Sequence, residues 1–89
     1  MKRLHALFAG SVQGVGFRFT AERIAGPLGL NGWVKNLGDG RVELVCEGPE
    51  ESLEKMLIKL SSVFGSRIRH ADARWEDATG EFETFDIIA

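Results

Sequence analysis

Residues 49–64, PEESLEKMLIKLSSVF, carry Leu53, Met56, Leu57, Leu60 and Phe64 on one side at helical spacing. Pro49 opens the segment, where a helix has no use for the missing N–H, and Glu50 and Glu51 sit against the positive end of the helix dipole. A helix with a single apolar stripe must lay that stripe on something. Just before it the chain changes period: in RVELVCE, Val42, Leu44 and Cys46 alternate with Arg41, Glu43 and Glu47. A strand that runs straight into an amphipathic helix calls for a sheet with the helix on its face. The polar set Arg41, Glu43 and Glu47 is expected to face water.

The other segments extend this pattern. RLHALFA alternates through Leu4, Ala6 and Phe8 as a half-buried strand, and FTAERIAGPLGL reads as a short helix. Gly26-Pro27 falls near the end of that helix and is expected to kink it or finish it early. NGWVKN reads as a second strand, joined to RVELVCE by LGDG, in which Asp39-Gly40 is a good hairpin pair. RHADARWE is expected to bury Ala71, Ala73 and Trp75, and FETFDII closes the chain with Phe82, Phe85 and Ile87. The order is β-α-β-β-α-β, with a fifth, edge strand if the last segment pairs. Right-handed crossovers then place both helices on one face of a mainly antiparallel sheet of four to five strands, the ferredoxin-like α/β sandwich. No linker or repeat interrupts residues 1–89, which are expected to form a single domain.

Thirteen acids against eleven Lys and Arg give a net charge of -2, so no global field attracts nucleic acid and any anion affinity must be local. No apolar run is long enough to span a membrane. The basic start MKRLHALFAGS alternates with polar residues and supplies a strand, which argues against a signal peptide. The one cysteine, Cys46, has no partner in the chain; it suits a reducing, cytoplasmic setting and reads as a small core residue. His5 and His70 stand opposite the apolar sets with no Cys or His at ligand spacing, so they are expected to face solvent and no metal site is expected. Glu50, Glu51 and Glu54 read as solvent-face charge.

Between the first strand and first helix lies AGSVQGVGFRF, with Gly10, Gly14 and Gly16 ahead of Arg18. Main-chain N–H groups converging beside a helix N-terminus bind phosphate well, and a guanidinium adds a planar fork for two phosphate oxygens. There is no G-x-x-x-x-G-K-[ST], so this is not a Walker loop. Taken alone, the loop reads more readily as a tight turn followed by a solvated arginine. Asn36, at the end of the second strand, likewise reads alone as a turn residue.

Together these stretches resemble the acylphosphatase family. GSVQGVGFR is similar to its phosphate-loop motif G-x-V-Q-G-V-x-F-R, and GLNGWVKNLGDGRVELVCEGP to its second block, G-x-x-G-W-V-x-N-x-x-D-G-x-V-E. FETFDI is similar to the closing F-x-x-F-x-I, and the resemblance runs from Arg3 to Ile87. It implies a ferredoxin-like fold and hydrolysis of small-molecule acyl phosphates to a carboxylate and inorganic phosphate, with no cofactor or metal. It assigns the phosphoryl-binding arginine to Arg18, the water-holding asparagine to Asn36, and the phosphate cradle to Gln13, Gly14, Val15, Gly16 and Phe17. A small enzyme of this kind is expected to be a cytoplasmic monomer.

The chain departs from the family pattern at Ser11, where a basic residue is frequent, and at Gly38, where proline is. Gly26-Pro27 is unusual in the first helix, and Ala71 and Ala73 replace larger valines. None of these touches Arg18 or Asn36. A phosphate-binding module without catalysis has no need of Asn36. An RNA-binding domain of the same element order would need stacking aromatics, which RVELVCE lacks. A piece of a larger carbamoyl-transfer or maturation protein is the third alternative. The absence of zinc-type cysteines makes a free-standing enzyme the expectation.

Overall fold

The computed structural model describes residues 1–89. Alternation produces β1 (Lys2–Gly10), where Leu4, Ala6 and Phe8 are buried, and β3 (Val42–Gly48), where Val42, Leu44 and Cys46 are buried. β2 (Asn31–Asn36) pairs antiparallel with β3, β3 with β1, and β1 with β4 (Ile68–Asp77). The closing segment forms β5 (Phe85–Ile88), which runs parallel to β2. The result is a five-stranded sheet in the order β4-β1-β3-β2-β5. With two helices over this sheet, the chain has the ferredoxin-like α/β fold expected from its sequence.

Helix α1 (Phe17–Leu28) buries Phe17, Ala21 and Ala25, and helix α2 (Glu50–Phe64) buries Leu53, Met56, Leu60 and Phe64. Phe17 joins the layers: its ring lies 5.0 Å from that of Phe8 and stacks at 4.6 Å on that of Phe64. The first residue of α1 is thereby clamped to the sheet and to α2, which fixes the preceding loop in space. Cys46 lies in this core, and burial, followed by the negative charge of Glu47, pushes its thiol up to about 12. It is an inert core thiol at neutral pH. No helix is long and apolar enough to cross a membrane.

Helix α1 runs through Gly26-Pro27 and finishes one residue later, at Leu28, where Gly29 and Leu30 donate to the carbonyls of Gly26 and Ala25. Pro27 lies so close to the end that little of the helix depends on its missing N–H. Ala71, Ala73 and Trp75 are not buried, although they align with Phe8, Ala6 and Leu4 on the helix side of the sheet. β4 is an outer strand, while α1 packs mainly on β2 and β5 and α2 on β3, so these three side chains stay exposed; only Ile68, at the start of β4, packs against the core.

Glu47 is buried rather than facing water, with 7 % of its surface exposed. The connection from β4 to β5 folds over it: Thr79 and Gly80 donate main-chain N–H groups at 2.8 and 2.9 Å, and Arg3 Nε donates at 2.8 Å. Arg3 also pairs with Glu81 and lies 5.0 Å from the Phe82 ring, so one guanidinium holds the connection against the sheet. Burial drives the Glu47 carboxyl up, but the donors from Thr79, Arg3 and Gly80 outweigh it and hold the group down at about 2.

Candidate active site

The glycine loop turns where β1 must hand over to α1. Gly14 and Gly16 have φ of 76° and 79°, the left-handed region in which a side chain is strained. Gly16 is the N-cap of α1, and its carbonyl accepts from Thr20 N–H at 2.9 Å. The main-chain N–H groups from Gly14 to Phe19 meet no main-chain acceptor. They form a run of free donors at the positive end of a helix, a geometry suited to an oxyanion.

A cavity of about 200 Å³ opens beside this run, lined by Val12, Gly14, Gly16, Phe17, Arg18, Phe19, Asn36 and Ile87. Arg18 is half-buried, and its Nη1 donates to the Ile88 carbonyl at 3.2 Å. That bond draws the guanidinium toward β5 and uses one of its five N–H groups. Asn36 ends β2 and lines the same cavity, and its Oδ1 is buried with no hydrogen-bond partner. An unpaired buried acceptor costs about 1–3 kcal/mol, which leaves Oδ1 in want of a donor.

Of the residues expected at the site, Gly14, Gly16, Phe17, Arg18 and Asn36 line the cavity; Gln13 and Val15 do not. Val15 packs against the core. Gln13 turns away and donates through Nε2 to the carbonyls of Leu37 and Arg41 at 2.8 and 2.9 Å. It ties the loop to the β2–β3 hairpin, and so fixes Asn36 relative to the free amides. The hairpin is closed on its other side by Arg41, which donates through N and Nε to the Asp39 carboxylate at 3.1 and 2.8 Å.

Sequence reading missed Val12, Phe19, Ile87 and the Ile88 carbonyl. The only available signal was the apolar character of Phe19 and Ile87, which remain 56 % and 39 % exposed. Nothing lining the cavity is a carboxylate, imidazole or thiol. The cavity can therefore bind an anion and orient a water, but it holds no side chain suited to nucleophilic or acid–base work.

The acylphosphatase family model matches residues 4–87. The acylphosphatase of Methylococcus capsulatus is 48% identical over 89 residues, covering 99% of this chain and 97% of the relative. That of Roseiflexus sp. is 45% identical over 89 residues, covering 99% and 96%. The crystal structure of acylphosphatase from Bacillus subtilis superposes with a TM-score of 0.92 at 32% identity, covering 100% of both chains. The crystal structure of T. kodakarensis HypF is similar at a TM-score of 0.81 and 35% identity, but this chain covers 12% of it.

Proposed function

The chain belongs to the acylphosphatase family and is an acyl phosphate hydrolase, and we propose that it works by direct attack of a water held by Asn36 on a phosphoryl group held by Arg18 and the loop amides. One observation carries the reading: Asn36, whose Oδ1 has no partner, lines the same cavity as Arg18, beside a run of N–H donors free of main-chain acceptors. The phosphoryl oxygens occupy the amide run and the guanidinium fork; Oδ1 accepts one hydrogen from the water and turns its lone pair toward phosphorus.

An acyl phosphate is a mixed anhydride whose leaving group is a carboxylate of low pKa, so the C–O side departs without a general acid. Phosphoryl transfer through a loose transition state needs positioning and charge stabilisation above all. Arg18 does not act as a base, because a guanidinium does not deprotonate in proteins. Asn36 does not either, so the proton of the attacking water passes to a phosphoryl oxygen. Water oxygen bonds to phosphorus, the P–O bond to the acyl group breaks, and the products are a carboxylate and inorganic phosphate.

A side-chain set without metal ligands supports metal-independent turnover. No group of three or more His, Cys, Asp or Glu is placed to hold a metal ion. Phe19 and Ile87 at the mouth offer apolar contact to the acyl portion. Gln13 and Val15 serve the cradle through the loop's shape. Loop, Arg18 and Asn36 meet within residues 1–89, which supports reading them as one domain and the monomer as the catalytic unit. The buried, unpaired Cys46 suits a cytoplasmic setting. Turnover of benzoyl phosphate in excess EDTA tests the reading: full activity is expected, and activity that returns only on adding a divalent cation contradicts metal independence.

A further inference from the structure

β4 leaves one long edge of the sheet open: it pairs with β1 on one side and with nothing on the other. Such an edge is a template for another strand, and natural proteins usually blunt it with charge. Here the charge is patterned. His70, Asp72, Arg74 and Glu76 stand on the face away from the helices, aligned with Ala9, Leu7, His5 and Arg3, and all four are exposed. None of the four takes part in a salt bridge within the chain. Ala71, Ala73 and Trp75 occupy the other face, exposed where no helix covers them.

The sequence HADARWE is self-complementary about its centre. We propose that two copies of this chain associate edge to edge through antiparallel β4 strands, with the two-fold axis at Ala73. In that register Asp72 of each copy opposes Arg74 of the other, and His70 opposes Glu76, giving an unbroken row of matched partners on one face. His70 can donate a ring N–H to a carboxylate in either protonation state. On the other face Trp75 lies opposite Ala71, whose small side chain leaves space for the indole, and Ala73 meets Ala73. The unusually small alanines and the tryptophan, 42 % exposed in the single chain, thereby acquire a common explanation.

The charge pattern selects this register. Moving the axis to residue 72 opposes Asp72 with Asp72 and His70 with Arg74. Moving it to residue 74 opposes Arg74 with Arg74 and Asp72 with Glu76. Like charges directly opposite on paired strands are destabilising, so both neighbouring registers are disfavoured. β4 and β5 are the two opposite edges of the sheet, so the pairing leaves the cavity beside Ile87 open. The association is independent of the catalytic reading and compatible with a monomeric catalytic unit. A single strand pair is a small interface and predicts a weak, concentration-dependent dimer.

Sedimentation velocity on the full chain, from about 10 µM to about 1 mM, covers the range expected for so small an interface. The unmodified protein should shift toward dimer mass as concentration rises. Asp72→Arg and Arg74→Asp should each weaken the dimer about tenfold, since each turns two attractive cross-strand pairs repulsive. The double variant Asp72→Arg/Arg74→Asp should restore it, and this rescue separates charge matching from loss of fold. Raising salt to about 0.5 M should weaken the unmodified dimer, because exposed ion pairs are screened. A protein monomeric throughout overturns the proposal. So does a dimer indifferent to the single reversals or to salt, or a double variant as weak as the singles.

Discussion

Gln13 Nε2 donates to the Leu37 carbonyl at 2.8 Å, bonding the phosphate loop to the residue that follows Asn36. The same amide reaches the Arg41 carbonyl at 2.9 Å, across the base of the hairpin. The two halves of the site lie far apart in sequence, and this side chain sets the distance between them. Gln13→Ala removes two hydrogen bonds from carbonyls that keep main-chain donors, Gly40 N–H on Leu37 and Leu37 N–H on Arg41, and should cost about 1–2 kcal/mol of stability, read by urea unfolding. It should also lower kcat about tenfold, because a water displaced by a fraction of an ångström loses its line to phosphorus. Unchanged kcat in a destabilised protein would reduce Gln13 to a purely structural tie.

Arg18 makes a 3.2 Å bond to the Ile88 carbonyl and faces the cavity with its remaining donors. Arg18→Ala should raise KM and cut kcat by roughly a hundredfold or more, the usual effect of removing an oxyanion donor. Arg18→Lys should recover only part of this, since an ammonium cannot bond Ile88 and grip two phosphoryl oxygens as a planar fork does. Steady-state kinetics on benzoyl phosphate distinguishes the three proteins.

Glu47 couples acid stability to the β4–β5 connection. Its folded carboxyl is held at about 2 against an ordinary 4.5, by donors that outweigh the opposing effect of burial. A depressed carboxyl stabilises the fold fully above about 4.5 and loses that contribution as pH falls toward about 2. The contribution is on the order of 1–2 kcal/mol, after allowing for solvent screening beside exposed Thr79 and Glu81. Glu47→Gln should therefore unfold more easily than the unmodified protein at pH 7, and the gap should close as pH drops through this window. Thermal melts at pH 7, 4 and 2.5 check this; a gap constant with pH contradicts it.

Phe19 is 56 % exposed at the mouth of the cavity, where an acyl group leaving the phosphoryl site would lie. Phe19→Ala should raise KM for benzoyl phosphate several-fold more than for acetyl phosphate, because the aryl ring loses more apolar contact. Equal changes for both substrates would remove Phe19 from acyl recognition.

What the sequence revealed followed from local periodicity. Alternation in β1 and β3 and the stripe of α2 depend on neighbours in the chain, and the residues they mark are buried except Leu57, which is half-buried against the core. Alternation also put Ala71, Ala73 and Trp75 on one face, but whether anything covers a face depends on where distant helices land. Glu47 was misread for the same reason: its donors come from Thr79 and Gly80, in a connection with no periodicity to reveal its path. The Ile88 carbonyl that restrains Arg18 is a main-chain atom, which no residue type announces. Gly14, Gly16, Arg18 and Asn36 stood out as motif residues, while the role of Gln13 as a tie required the fold.

In the proposed mechanism Asn36 serves the water, and Arg18 with the loop amides serves the phosphoryl group. Measuring kcat and inorganic phosphate affinity together in Asn36→Ala separates these duties. A fall in kcat of roughly a hundredfold is expected, with phosphate binding within about twofold of the unmodified protein. An unchanged kcat, or a loss of phosphate binding that accounts for the whole defect, would contradict it.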